Sequence, residues 1–278
     1  MRPALRPLLP ARPSGARRCG PASMLADPFV RVLACLLVAT VATPVARAGT
    51  PAELGDFEAR AEYAFFTEDA HALRALIRSG HALAVSGEAR ALYYYAFAQF
   101  RALQLATFGH QSREAETAGA ACVETLERAL EKEPRSTEAL ALEAACLGYV
   151  GAAGGLKAMT ARPRSAARLE AAQALAPANP RVLLVAALLG YLPADAPQDR
   201  RGAAEALFER AAGLYEKVIA SEPGEPTWGA AEAWLFVGRT REQHGELLAA
   251  RNAYEKALLI APDFARARRR LAALTSRR

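Results

Sequence analysis

The chain has 278 residues, of which 52% are hydrophobic and only 7% aromatic. Thirty-five Lys and Arg residues stand against 29 Asp and Glu residues, which gives a formal net charge of +6. A chain of this length can bury a sizeable core in one or two domains. Abundant alanine with few aromatic residues argues against an all-β class, because alanine is the best helix former and a poor strand former. The composition therefore predicts an all-α fold.

Residues 1–48 are predicted to be a cleaved secretory signal peptide. They carry seven Arg and one Asp, and an apolar run over 32–45 ends before Ala46-Arg47-Ala48. A positive segment, a short apolar stretch and small residues at a cut site are the three parts of such a signal. The run is shorter than the roughly 20 residues that span a bilayer as a helix. We expect cleavage after Ala48 and export, to the periplasm if the source is bacterial.

Other kinds of processing fit the N-terminal segment less well. A retained signal anchor would have to tolerate Pro44, which breaks the end of the apolar run. Cys35 is an unsuitable lipid-attachment site, because it lies inside the apolar run and not after it. Arg17-Arg18 is not followed by the apolar pair that is usual in a twin-arginine signal. A translation start at Met24 would leave the cleavage site unchanged.

The positive charge belongs to the predicted signal peptide. Without residues 1–48, the mature chain keeps 28 basic and 28 acidic side chains, a net charge of zero. Its only basic concentration is 264–278, with six Arg and no acidic residue. A non-specific polyanion binder needs a basic face spread over its fold, so nucleic acid is not expected as a partner. The basic end fits either contact with an acidic surface or, as the favoured interpretation, complementing the C-terminal dipole of the last helix.

One pattern recurs four times along the chain. A small residue is followed four positions later by a large one. Three positions after that comes a small or β-branched residue, and five positions after that comes proline. The four segments are Cys122-Leu126-Ala129-Pro134, Ser165-Leu169-Ala172-Pro177, Ala211-Tyr215-Val218-Pro223 and Ala250-Tyr254-Ala257-Pro262. Spacings of four and three place side chains on one helical face, and proline follows where a helix must stop. Each segment is predicted to be the second helix of a hairpin.

The last of these segments extends into a longer motif. Its residues are Trp234, Gly238, Gly245, Ala250, Tyr254, Ala257 and Pro262. Residues 231–264 thereby resemble the tetratricopeptide repeat, W-x-x-L-G-x-x-Y followed by A-x-x-x-F and P, and depart from it at Arg241, where an aromatic residue is usual. The resemblance implies close helix packing at Gly238 and Ala250, with Trp234 and Tyr254 filling the gap to the next hairpin.

The other three segments resemble the family more loosely. Their prolines are 43, 46 and 39 residues apart, against 34 in the family. The extra residues are expected in hairpin turns at 148–163 and 192–197, which are rich in Gly and Pro and would form a lip along one edge.

The resemblance implies an all-α, right-handed α-solenoid in a single domain, 49–278. The predicted helix pairs cover about 53–80, 88–134, 137–177, 180–223 and 231–262, and a cap helix covers 264–275, about eleven helices in all. Such a stack buries each hairpin against its neighbours, so its stability should be spread along the chain.

No catalytic or cofactor-binding motif is found. His71, His81, His110 and His244 lack the spacing of a metal site. The glycines of 148–157 lack the contiguous Gly-Lys-Ser/Thr of a phosphate loop, and no nucleophile elbow occurs. We expect no catalytic activity, no metal and no cofactor.

Cys122 and Cys146 are the two cysteines of the predicted mature chain. They lie on successive antiparallel helices at heights that differ by roughly 5–6 Å, within reach of a disulfide. An exported compartment permits the bond. Two small buried thiols at helix contacts fit the sequence equally well.

The partner-binding surface is inferred from the resemblance, in which first helices line a concave face. Family members that bind acidic peptide tails use Lys, Arg and Asn there, whereas this chain offers apolar residues and a single Arg239, so a carboxylate clamp is not predicted. Amphipathic helices or extended apolar peptides fit such a face. The predicted contact residues are Tyr93, Tyr94, Leu184, Leu188, Phe236 and Arg239. The function expected is a non-catalytic protein- or peptide-binding scaffold of the cell envelope, and the alternative is a small-molecule or lipid-binding module with a pocket near Tyr93–Tyr95.

Overall fold

The structure, a computed structural model, describes residues 49–191, 193, 196–217 and 224–276. Within these ranges the chain forms twelve α-helices and no β-strand, which confirms the all-α expectation. The helices are α1 (Pro51–Phe66), α2 (Ala70–Ser79), α3 (His81–Ser86), α4 (Ala89–Phe108), α5 (Ser112–Lys132), α6 (Thr137–Ala152), α7 (Gly155–Leu175), α8 (Pro180–Tyr191), α9 (Gln198–Tyr215), α10 (Ala230–Gln243), α11 (Leu247–Ile260) and α12 (Ala265–Thr275). Among these residues, no helix has both the length and the hydropathy needed to cross a bilayer. The predicted signal peptide lies outside the described residues.

Side chains cap the starts of the first two helices. Thr50 accepts a hydrogen bond from the backbone N–H of Glu53, and the Glu53 carboxylate accepts one from the backbone N–H of Thr50, which together form a capping box at α1. Asp69 caps α2 by accepting from the N–H of Ala72 at 2.8 Å. Each side chain satisfies an amide at the helix end that has no partner inside the helix.

Three helix ends repeat one geometry. α5, α7 and α11 each end two residues before a proline, and the residue between is not helical, with φ of −129°, −147° and −130°. Proline excludes the preceding residue from the helical region, which fixes these ends. The N–H of this intervening residue donates to the carbonyl of Ala129, Ala172 or Ala257, the third residue of the repeated pattern. Pro223, which closes the remaining segment, lies outside the described residues.

The long turn predicted over 148–163 is wrong. α6 continues to Ala152 and α7 begins at Gly155, so only two residues connect them. Gly154 and Gly155 have φ of +82° and +73°, a conformation that glycine adopts without steric cost and that reverses the chain. Pro163 lies inside α7 on an exposed surface, where water can satisfy the carbonyl that loses its partner. The extra residues lengthen helices and form no lip here, and the second predicted turn, 192–197, is only partly described.

Helices adjacent in sequence pack as pairs, and α4 is buried among the helices of the N-terminal half of the described fold. The pairs are α4 with α5, α6 with α7, α8 with α9, and α10 with α11. Sixteen of the twenty residues of α4 are buried, because α1, α2, α3, α5 and α6 all pack against it. α4 therefore forms the centre of the core.

The last helix contacts the first helix pair. The Phe264 ring, at the start of α12, lies 4.6 Å from the Phe66 ring and 6.2 Å from the Phe65 ring, measured between centroids. Arg266 and Arg269 of α12 form ion pairs with Glu68, just beyond α1. In an open repeat stack each repeat contacts only its neighbours. Here α1 and α12, the first and last helices of the described residues, are joined directly.

Candidate functional site

Most residues predicted to line a binding groove are buried in the core instead. Tyr93, Tyr94, Leu184, Leu188 and Phe236 are each less than 9% exposed. The prediction of an apolar groove is wrong at Tyr93, Tyr94, Leu184 and Leu188, because their side chains pack against other helices of the same chain. Phe236 and the half-buried Arg239 both line a cleft, which is described below.

The tyrosines of α4 hold the segment that precedes α10. The Tyr93 hydroxyl accepts a hydrogen bond from the Trp228 indole N–H at 2.8 Å, and the Tyr94 hydroxyl donates to the carbonyl of Gly224 at 3.1 Å. Glu58 of α1 accepts from the backbone N–H groups of Thr227 and Trp228. Burial raises the pKa of Glu58, although these two amides favour its ionised form. The alternative pocket near Tyr93–Tyr95 is thus filled by the chain itself.

The residues of the repeat motif lie in the α10–α11 hairpin. Ala250, Tyr254 and Ala257 are fully buried, Gly245 has φ of +75° at the turn, and Pro262 follows the end of α11. A Cβ atom at Gly238 would lie 2.4 Å from the Tyr254 ring, so the two helices require glycine there. Tyr254 therefore packs within its own hairpin, not in a gap to the next one. Trp234 is half-buried, with the Lys256 ammonium 3.9 Å from its ring centroid.

Cys122 of α5 and Cys146 of α6 form a disulfide in the structure, with their Cα atoms 6.3 Å apart. Both residues are fully buried. The bond connects the α4–α5 pair to the α6–α7 pair.

A buried ionic cluster lies where α1, α4 and α10 meet. The Arg101 guanidinium donates to both carboxylate oxygens of Glu232 at 2.6 Å, to Gln104 Oε1 at 2.7 Å, and to Glu62. Its central carbon lies 4.2 Å from the Phe65 ring centroid. Arg101 is fully buried and Glu232 is 2% exposed. Burial raises the pKa of Glu62 to about 7, against the attraction of Arg101.

Above this cluster opens a cleft of about 820 Å³, here called the basic-aromatic cleft. Its lining includes Glu232 and Gln104 from the cluster, the rings of Phe65, Phe108, Phe236 and Phe264, and four arginines, Arg239, Arg266, Arg269 and Arg270. The ends of α1 and α4 form one side, and α10 and α12 form the other. The closure of the last helix onto the first pair creates this cleft.

Three of the four arginines have acidic neighbours. Glu68 accepts from Arg269 at 2.6 and 2.8 Å and from Arg266 at 3.1 Å, and these contacts lower its pKa, the Arg269 hydrogen bond most. Arg270 lies 3.6 Å from Glu242. Arg266, Arg269 and Arg270 lie within the first six residues of α12, so the interpretation that they complement its C-terminal dipole is wrong for these three. They face other helices instead. Arg277 and Arg278 lie outside the described residues.

Arg239 differs from the other three arginines. Within the described part of the chain no carboxylate lies within 4 Å of its guanidinium, which instead lies 5.2 Å from the Phe236 centroid and 5.5 Å from the Tyr191 centroid. A cation held over aromatic rings and partly exposed in a cleft can bind an anionic group. The arrangement can bind an acidic group next to an apolar or aromatic one.

The sequence contains a signal for the ionic cluster, namely charged residues inside apolar helices. Arg101 interrupts the apolar run of α4, and Glu232 stands among the alanines that open α10. Charged residues are rarely buried unless paired, so a single charge inside an apolar helix predicts a partner of opposite charge. The sequence does not show that Arg101 pairs with Glu232, 131 positions away, and only the folded structure identifies the partner.

The histidines show no metal-binding arrangement. Over the described ranges, no three His, Cys, Asp or Glu side chains are grouped as metal ligands. His244 is exposed, and its Nε2 lies 2.8 Å from Glu205 Oε2, a contact that raises its pKa.

No protein-family model matches the chain, and no curated protein matches it significantly.

Proposed function

We propose that this chain is an exported, non-catalytic binding protein of the cell envelope, built from tetratricopeptide-like hairpins, that holds an acidic segment of a partner protein or peptide in the basic-aromatic cleft. No cofactor takes part in this function. The observation that carries the proposal is Arg239, a guanidinium without a carboxylate neighbour among the described residues, lying over two aromatic rings in a cleft of about 820 Å³.

Two features support the proposed export and fold. The Cys122–Cys146 disulfide suits an oxidising compartment, and α1 begins at Pro51 with its own capping box, just after the proposed cleavage site at Ala48. The repeated helix ends at three prolines and the contact between Gly238 and Tyr254 are what a tetratricopeptide-like hairpin requires.

The composition of the cleft supports an acidic peptide over a purely apolar one. Glu232 forms an ion pair with Arg101, and Glu68 forms ion pairs with both Arg266 and Arg269. The arginines that line the cleft therefore outnumber the carboxylates that are available to pair with them. Aromatic rings on the same surface provide contact area for apolar side chains. An acidic segment that carries an aromatic residue satisfies both.

Crosslinking in the native compartment followed by mass spectrometry tests this proposal. We expect one stoichiometric protein partner, lost when Arg239→Gln and Arg270→Gln are combined and retained in Arg210→Gln, a matched control on the exposed face of α9. The contact should weaken as salt is raised, because the arginines of the cleft are partly exposed. Co-purification of a small molecule without any protein partner would contradict the proposal.

A further inference from the structure

The outward face of α11 carries a large share of the exposed apolar surface. Among the described residues eight large hydrophobic side chains are exposed, and four of them belong to this one helix: Leu247, Leu248, Leu259 and Ile260. The opposite face of α11 is buried, with Ala250, Ala253, Tyr254 and Ala257 packed into the fold. Single exposed apolar residues are ordinary, whereas a cluster of them marks a surface for a further contact.

Four residues of this outward face form one strip along the helix, here called the α11 strip. Leu248, Asn252, Glu255 and Leu259 follow each other at spacings of four, three and four positions. Each residue of an α-helix turns by about 100°, so these spacings place the four side chains within about 60° of one another. The leucines stand at the two ends of the strip, 72% and 82% exposed, and the polar pair lies between them.

The α11 strip is complementary to itself in the antiparallel direction. When two copies of α11 pack antiparallel about a two-fold axis midway between positions 253 and 254, Leu248 of one copy lies opposite Leu259 of the other. Asn252 then lies opposite Glu255, and each pairing occurs twice, as a two-fold contact requires. A parallel pairing in register would instead place Glu255 against Glu255, and like charges in an interface are unfavourable.

The charges beside the strip fit the same arrangement. Arg251 lies on the same side of the strip as Glu255 and pairs with it inside the helix, Nε to Oε1, at 2.7 Å. In the antiparallel pairing Arg251 of one copy comes to the level of Glu255 of the other copy on that side, so the opposite charges also meet between copies. Lys256 lies on the other side of the strip, where it pairs with Glu216 of α9. The apolar and the charged positions therefore favour the same occupant, a second copy of this chain.

We propose that α11 is a self-association surface through which two copies of this chain form an antiparallel, two-fold symmetric dimer. A single helix of 14 residues is about 21 Å long, and a pair of such helices buries less than the roughly 1,200–2,000 Å² of a stable interface. The dimer is therefore weak, with a Kd in the micromolar range. The basic-aromatic cleft is lined by other helices, so the dimer presents two open clefts and does not depend on what they bind.

Sedimentation equilibrium of the purified protein over a range of concentrations tests the proposal. We expect a reversible monomer–dimer equilibrium. Leu248→Ser combined with Leu259→Ser should raise Kd at least about tenfold, because apolar contacts at both ends of the strip are lost. Leu156→Ser of α7 is the matched control, since Leu156 is 83% exposed and lies outside the strip. All these side chains are exposed, so the midpoint of thermal unfolding should stay unchanged in both variants.

Charge exchange between copies tests the pairing itself. Arg251→Glu alone and Glu255→Arg alone should each raise Kd about tenfold, because like charges then meet across the contact. An equimolar mixture of these two variants should recover the dimer, since every charge at these positions again faces an opposite one. Arg239→Gln should leave the equilibrium unchanged, which separates the dimer from the basic-aromatic cleft.

Single cysteines determine the direction of the helices. A mixture of Leu248→Cys and Leu259→Cys should form a disulfide-linked dimer faster than either variant alone, whereas a parallel pairing would link each variant to itself. A monomer at every concentration, a dimer unaffected by the two serine substitutions, or no recovery in the mixture of charge variants overturns the proposal. Binding of lipid vesicles by a chain that stays monomeric would also overturn it, by assigning the strip to a membrane surface.

Discussion

At the scale of single residues, Arg101 connects parts of the chain that are far apart in sequence. It pairs with Glu62 of α1 and Glu232 of α10 while lying on α4. A buried charge is costly unless its partners are in place, so these three residues tie their helices to one arrangement. Rings of Phe65, Phe97 and Trp228 surround the guanidinium and exclude water from it.

Replacing Arg101 tests this role. Arg101→Met should lower the free energy of unfolding by about 3–5 kcal/mol, because Glu232 would be left buried without its bidentate partner. Arg101→Met combined with Glu232→Met should be less destabilised than Arg101→Met alone, since the unpaired carboxylate is then gone. Urea denaturation of both variants measures the difference. Equal stability of the single and double variants would show that Glu232 finds water in place of Arg101.

The pKa of Glu62 gives a pH dependence with a definite sign. Its folded pKa of about 7 lies above the ordinary value of 4.5, so between these values the folded state binds more protons than the unfolded state. Stability should therefore fall as pH rises through that window, by up to about 1.4 kcal/mol per pH unit. Glu62→Gln should reduce this slope, to which Glu58 also contributes because its pKa is raised as well, whereas Glu116→Gln, at an exposed position, should leave it unchanged. Unfolding free energies at pH 5, 6 and 7 measure both.

At the scale of helices, the sequence predicted where helices end better than it predicted the turns that connect them. Pro134, Pro177 and Pro262 end their helices as expected, because the constraint of proline on the preceding residue is local. Pro163 was misread as a turn residue, since only burial distinguishes a proline that stops a helix from one tolerated on an exposed face. The short helix α3 was missed because six residues carry too little periodicity to be recognised.

Two helical glycines make a matched pair for testing the hairpin contact. A Cβ at Gly238 would overlap the Tyr254 ring, whereas nothing lies within 4 Å of a Cβ at Gly202 of α9. Gly238→Ala should destabilise the protein by about 1–3 kcal/mol through overpacking. Gly202→Ala should stabilise it by about 0.5–1 kcal/mol, since alanine is the better helix former. Thermal and denaturant unfolding of the two variants should therefore shift in opposite directions.

The disulfide between α5 and α6 should contribute measurably to stability. It closes a loop with a sequence separation of 24 residues, for which loss of chain entropy in the unfolded state predicts about 3 kcal/mol. Cys122→Ala combined with Cys146→Ala should lose about this amount in denaturant unfolding, and reductant should leave that variant unaffected. Alkylation of both cysteines in the native protein without reductant would contradict the bond.

At the scale of the whole molecule, the closure of the chain explains why the candidate site could not be read from the sequence. Tyr93 and Leu184 were expected on a groove because first helices were assumed to face solvent, and α4 was not known to be buried at the centre. Arg239 was identified, but its aromatic surroundings and the arginines of α12 come from elements far apart along the chain. Helix periodicity predicts which face is apolar, and it does not predict what covers that face.

The contact between α1 and α12 also predicts how these two helices unfold. In an open stack the terminal repeats open independently of each other, whereas here Phe264 of α12 packs on Phe65 and Phe66 of α1 and is 1% exposed. Phe264→Ala should lower stability by about 3–5 kcal/mol and increase amide hydrogen exchange both in α12 and in the last two turns of α1.

Phe208→Ala is the matched control for this experiment, because Phe208 is equally buried but packs against Phe236 and Tyr191. It should increase exchange in α8, α9 and α10, and should leave the protection of α1 relative to global unfolding unchanged. If Phe264→Ala instead increases exchange in α12 alone, the two ends are not energetically coupled, and the basic-aromatic cleft between them is not held in shape by the closure.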